Sequence, residues 1–180
     1  NLFAGTNSGV FLSGDNGLSW RAAGLTGTIV HALALSGTNL VAGTGGGAYL
    51  SADSGKNWTL VNTGFYVNAL VVSPNGTGGT NLFAATAGGG VFLSTNNGIS
   101  WNPVNTGLPI LSVYALAVNN SNLYVGTSPA FGSSFVYFST NNGSTWSQYH
   151  AGLKSTSAIV ALAFSGTNAF AGTSEGVYVT

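Results

Sequence analysis

The chain has no cysteine and no methionine, and only six of its 180 residues are Asp, Glu, Lys or Arg. Each scarcity excludes something. Without cysteine there is no disulfide framework and no thiolate metal site. Three acidic and three basic residues give a formal net charge of zero. That balance leaves no basic patch for a phosphate backbone, so a nucleic-acid partner is not expected. No apolar run approaches the roughly 18 residues of a membrane span. Histidine is scarce too: His31 and His150 are the only two, too few for a three-histidine zinc site. No metal or other cofactor is expected. A chain without methionine at residue 1 is expected to start after processing or inside a longer polypeptide, and a mature secreted protein would have lost its signal peptide.

What is present argues for an ordered fold. Hydrophobic residues make up 44% and aromatics 12%, too much apolar surface for a disordered chain. Self-similarity is extensive. "NLFAGTNSGVFLS" opens at Asn1 and returns in altered form at Asn39, Asn81, Asn122 and Asn168. The repeats are 1–38, 39–80, 81–121, 122–167 and a partial 168–180. Turn signals every 8–12 residues and the lack of helical periodicity indicate an all-β chain. Each unit reads as four short strands, and a period near 40 fits a β-propeller of four-stranded antiparallel blades, with four full repeats and a partial fifth. A solenoid would pair its strands between repeats, whereas the short hairpin at 6–9 favours pairing within one.

The strand beginning at Val30 alternates with apolar residues on both sides, so it is expected to be buried on both. Its counterparts begin at Val67, Val113 and Ile159. The alanines at 32, 69, 115 and 161 suggest tight space near a central axis.

An eight-residue string recurs between the third and fourth strands: "SGDNGLSW" (13–20), "SADSGKNW" (51–58), "STNNGISW" (94–101) and "STNNGSTW" (139–146). Its members are Ser13, Asp15, Gly17 and Trp20; Ser51, Asp53, Gly55 and Trp58; Ser94, Asn96, Gly98 and Trp101; and Ser139, Asn141, Gly143 and Trp146. The third residue is expected to accept backbone hydrogen bonds one or two residues on, as in an Asx-turn. The glycine permits a left-handed backbone, and the tryptophan is expected to fold back on the sheet. The string resembles the Asp-box (BNR) repeat, S-x-D-x-G-x-x-W, of sialidases and related propellers. Asn replaces Asp in two copies. The resemblance implies a structural rim element, not catalysis. The wording around it is most like bacterial secreted or cell-surface repeat propellers, which implies a non-catalytic extracellular binding or scaffold module.

Catalytic constellations are not assembled from these residues. A sialidase site would need an arginine cluster, and Arg21 is the only arginine. Glycoside hydrolysis needs two carboxylates across one bond, but Asp15 and Asp53 occupy turn positions and Glu175 stands alone in a loop. Neither histidine sits in a recognisable triad. "GTGGG" (43–47) and "AGGG" (87–90) open no helix, so they read as tight hairpins rather than phosphate loops. The face formed by the fourth-to-first and second-to-third strand loops is the expected ligand face. It carries His31, Phe65, Tyr66, Asn68, Tyr114, Phe131 and Lys154, suited to stacking on and hydrogen-bonding a carbohydrate or protein partner. Sequons stand at Asn57, Asn75, Asn119 and Asn142. Two alternatives stay open: a self-associating subunit of a larger ring or fibre, and part of a secreted glycoside hydrolase whose catalytic residues lie elsewhere. The first and fifth repeats duplicate one another, so further blades or a homo-oligomer are expected to complete the ring.

Overall fold

A computed structural model describes residues 1–109, 112–128, 134–149 and 157–179. The described residues form eighteen strands in five antiparallel sheets, each a simple meander. Sheet 1 holds β1 (Leu2–Thr6), β2 (Gly9–Ser13) and β3 (Arg21–Ala22). Sheet 2 holds β4 (Val30–Ser36), β5 (Asn39–Thr44), β6 (Gly47–Ser51) and β7 (Thr59–Thr63). Sheet 3 holds β8 (Tyr66–Pro74), β9 (Thr80–Ala87), β10 (Gly90–Ser94) and β11 (Asn102–Pro103). Sheet 4 holds β12 (Val113–Asn119), β13 (Asn122–Thr127), β14 (Val136–Ser139) and β15 (Ser147–Gln148). Sheet 5 holds β16 (Ala161–Ser165), β17 (Asn168–Thr173) and β18 (Gly176–Val179). The sequence repeats run one strand out of phase with the sheets: repeat 1–38 supplies all of sheet 1 and then the first strand of sheet 2.

Local chemistry closes each hairpin. The threonine ending the second strand donates its hydroxyl to the carbonyl that opens the third: Thr6 to Gly9 and Thr44 to Gly47, both 2.9 Å. Thr86 (2.9 Å, to Gly90) and Thr173 (3.1 Å, to Gly176) do the same. Each bond satisfies the hydroxyl and a turn carbonyl together, and Thr44 and Thr86 are buried.

The sheets stack in chain order, with β4 beside β8, β8 beside β12, and β12 beside β16. Among the described residues, no extended strand contact links sheet 1 to sheet 5. The apolar core is accordingly divided among the gaps between sheets. Val41, Val67, Leu82 and Phe92 fill the gap between sheets 2 and 3; Phe83, Val91, Leu123, Val125 and Trp146 fill the next.

Two expectations change here. The first strand is not buried on both sides: Leu35 is 62% exposed and His31 is exposed. The strand does meet a sheet on either side, Leu33 packing toward sheet 1 and Ala34 toward sheet 3, but it lies at the edge of its own sheet, where its ends stay open to solvent. Nor do the alanines mark the tightest approach. Ala115 is buried but Ala161 is exposed. The constriction lies one strand over, at glycine. A Cβ on Gly5 would lie 2.7 Å from Val30, one on Gly43 2.5 Å from Val67, and one on Gly126 2.5 Å from Ile159. Each glycine is the hole for an aliphatic knob of the next sheet.

Candidate functional site

The Ser–Trp turns share one geometry. In the first, Ser13 Oγ donates to Asp15 Oδ1 (2.8 Å) and accepts from the Gly17 N–H (2.8 Å). Asp15 Oδ1 also accepts the Ser19 N–H at 2.9 Å. Ser51–Asp53–Gly55–Asn57, Ser94–Asn96–Gly98–Ser100 and Ser139–Asn141–Gly143–Thr145 repeat the pattern within 0.1 Å at each bond. The carboxylate or amide therefore reaches four residues on, not the one or two expected of an Asx-turn, because the serine hydroxyl takes the nearer glycine N–H. The backbone is left-handed at two consecutive residues, Asn16 (φ 59°) and Gly17 (φ 92°) in the first turn. Asn, Ser and Gly tolerate this far better than bulky residues do.

Asp15 and Asp53 are held down to about 2 by these bonds. For Asp15 the Ser19 hydroxyl contributes most, then the Ser19 N–H, then Ser13. For Asp53 the Asn57 N–H leads, then the Asn57 amide, then Ser51. Donors to an ionised carboxylate favour that form. Both carboxylates thus serve their own turns. Glu175, the remaining one, accepts from Tyr178 (2.9 Å) and Ser157 (2.7 Å) in an exposed cluster. Among the described residues, no three His, Asp or Glu side chains gather in a way that could hold a metal ion.

The tryptophans tie one sheet to the last. Trp58 donates its indole N–H to Ala23 O (2.8 Å) of sheet 1, and Trp146 donates to Val104 O (2.7 Å) beside sheet 3. Trp20 and Trp101 instead donate to Gly17 O (3.2 Å) and Gly98 O (3.0 Å) of their own turns.

The second group of residues lies at the other end of the strands. Three first strands carry a register shift at the same place: between Val30 and Ala32, between Val67 and Ala69, and between Val113 and Ala115. The extra residues are His31, Asn68 and Tyr114. A β-bulge re-aims a side chain and often sits beside a functional site. His31 stacks on Tyr66 of the next sheet, with centroids 4.5 Å apart and planes at 28°. Tyr66 is 43% exposed and lies over the backbone near Gly45. Asn68 donates its amide to Val113 O at 2.8 Å, bridging sheets 3 and 4. Phe65 is turned toward the core, 4.5 Å from Phe92. Phe131 and Lys154 lie outside the described residues. The structure therefore brings together His31 and Tyr66, with Asn68 and Tyr114 at the corresponding positions of the following sheets. Periodicity alone could not reveal the bulge, because the flanking alternation reads through it.

Scanned against protein-family models and against curated proteins, the chain matches none. Solved structures do match. An ancestral GH74 enzyme superposes with a TM-score of 0.74 at 20% identity, over 98% of this chain and 28% of its own. The extracellular domain of BT4673 from B. thetaiotaomicron gives 0.71 at 19%, over 98% and 24%. YCF48 bound to D1 peptide gives 0.69 at 20%, over 98% and 59%. The fold is a β-propeller. The five sheets are its blades, and the chain spans only part of the length of these three neighbours. At such identities the likeness concerns the fold and not the activity.

Proposed function

We propose that this chain is a non-catalytic, extracellular binding module whose four Ser–Trp turns are Asp-boxes and whose ligand lies on the bulged rim. The observation that carries the reading is the repeated bulge, which sets His31, Asn68 and Tyr114 on one rim with His31 stacked against Tyr66. An exposed aromatic pair suits a neutral ligand that offers a flat face, such as a glycan or a peptide. The near absence of charge favours such a ligand over an ionic one. The turn and loop roles of Asp15, Asp53 and Glu175 support a module without hydrolytic chemistry. That YCF48 has been solved with a peptide is consistent with a peptide ligand, and that a neighbour is an extracellular domain is consistent with a place outside the cell.

Titration against neutral oligosaccharides and against unstructured peptides tests the reading. Saturable binding that weakens about tenfold in Tyr66→Ala, with folding unchanged, is the expected result. Binding that Tyr66→Ala and His31→Ala both leave intact would move the ligand off this rim. Turnover of a glycoside would overturn the non-catalytic assignment.

A further inference from the structure

Asn-Gly pairs stand at 16–17, 75–76, 97–98 and 142–143. Glycine, with no Cβ, is the least hindered residue to follow an asparagine, and such a pair can react with itself. The glycine nitrogen attacks the asparagine Cγ, and a five-membered imide closes as ammonia leaves. The four pairs are alike in sequence but not in structure.

Three of them belong to Ser–Trp turns, and there the attacking nitrogen is engaged. The Gly17 N–H donates to Ser13 Oγ at 2.8 Å, and those of Gly98 and Gly143 donate to Ser94 Oγ and Ser139 Oγ at 2.9 Å. Gly98 and Gly143 are also buried, and a Cβ on Gly98 would lie 2.7 Å from Val41 of the preceding blade. Asn97 Oδ1 accepts the Ser36 hydroxyl across the same joint, at 3.0 Å. Ring closure in these turns must first open local structure.

Asn75–Gly76 has a different setting. The loop between β8 and β9 covers 75–79, whereas the matching loops after β4, β12 and β16 have two residues. Gly76 is exposed, and nothing stands within 4 Å of where its Cβ would be. Among the described residues its N–H has no hydrogen-bond partner. Asn75 Oδ1 accepts the Thr77 N–H at 2.9 Å, the Thr77 hydroxyl at 3.0 Å and the Gly79 N–H at 3.0 Å. These bonds fold the side chain toward the following backbone, where the attacking nitrogen lies. They also place donors on the oxygen that turns negative when Cγ becomes tetrahedral, as in an oxyanion hole.

We propose that Asn75 is a self-modification site, at which the Gly76 nitrogen attacks Asn75 Cγ while the Thr77 and Gly79 donors stabilise Oδ1. The Gly76 N–H proton passes to solvent. The Cγ–Nδ2 bond breaks, and Nδ2 takes up a proton and leaves as ammonia. Water then opens the imide at either carbonyl, restoring an N–H and leaving aspartate or isoaspartate at 75. The net change is water taken up and ammonia released. The product adds a negative charge to a chain whose formal net charge is zero. In the aspartate form the same three donors serve an ionised acceptor, which strengthens them. The loop lies at the Ser–Trp end of the strands, away from the bulges, so the ligand rim is left untouched.

Peptide mapping by mass spectrometry, with the folded chain held at mildly alkaline pH, reads amide-to-acid conversion at each pair. Asn75 is expected to convert about tenfold faster, or more, than Asn16, Asn97 and Asn142. In denaturant, where all four are plain Asn-Gly pairs, the rates should converge. Thr77→Val keeps the N–H and removes the hydroxyl; it should slow Asn75 about threefold in the folded chain and not in denaturant. Ser13→Ala frees the Gly17 N–H and should raise the rate at Asn16. Circular dichroism establishes that both variants fold. A folded chain in which Asn75 converts no faster than the turn asparagines overturns the proposal. So does a folded Thr77→Val chain that converts at an unchanged rate, or one slowed just as much in denaturant.

Discussion

The turn at Trp20 and the turn at Trp146 are almost the same object, yet one indole is 44% exposed and the other 4%. Their internal bonds agree within 0.1 Å at Ser13 Oγ–Gly17 N and at Ser139 Oγ–Gly143 N. What differs is the preceding blade. Trp146 enters the core with Phe83, Val91 and Leu108 and donates to Val104. Trp20 donates to Gly17 O of its own turn. The turn is therefore a self-sufficient local structure, and its energetic worth comes from the neighbour it docks on. Stability in such an array is a sum of units and of interfaces between them.

The comparison can be broken at several levels. The largest effect is expected from Trp146→Ala, which opens a core cavity and should cost about 3–5 kcal/mol in denaturant unfolding. Trp20→Ala should cost about 1 kcal/mol or less, since half-exposed side chains bury little area. Equal losses would show that the neighbouring blade is not what matters. Next come the turn glycines. Gly98→Ala and Gly17→Ala both force alanine into a left-handed backbone, at about 1 kcal/mol. Only Gly98→Ala also drives a Cβ to 2.7 Å from Val41; at Gly17 the nearest atom is 3.8 Å away. Gly98→Ala should therefore be worse by about 1–2 kcal/mol.

The smallest and most specific effect concerns pH. Asp15 and Asp53 titrate near 2 when folded, below the ordinary 3.8. A depressed carboxylate stabilises the fold above its unfolded value, and that contribution is lost as pH falls from about 4 to about 2. Turns three and four carry Asn96 and Asn141, which do not titrate, and Asn96 donates its amide to Ser100 Oγ at 2.8 Å. Asp15→Asn can make the same bond to Ser19. Lacking the ionised form, it should lower the unfolding midpoint slightly near pH 7, toward its acid value, and flatten the acid limb between about pH 4 and 2. An unaltered acid limb in the Asp15→Asn, Asp53→Asn double variant would place the acid sensitivity elsewhere.

Much of this architecture was legible in the residues. Repeats of "NLFAGT" and of the Ser–Trp string located the second strands and the turns because both depend on local chemistry: a threonine that clasps its own hairpin, and a serine and an Asx that saturate one loop. The ligand rim was legible only by departure from the repeat. His31, Asn68 and Tyr114 differ where their neighbours agree, but nothing in alternation shows that each is the extra residue of a bulge. The inward turn of Phe65 was not legible either, because an aromatic at a loop end suits a surface and a core equally.

The chain by itself determined the strands, the hairpins and the internal geometry of every turn, since these rest on contacts a few residues apart. Tertiary structure decided which of four like tryptophans is buried and why Gly43 and Gly126 must lack a side chain. Those outcomes depend on what the next sheet brings within van der Waals range, and a repeated sequence reads the same whether or not a neighbour is there.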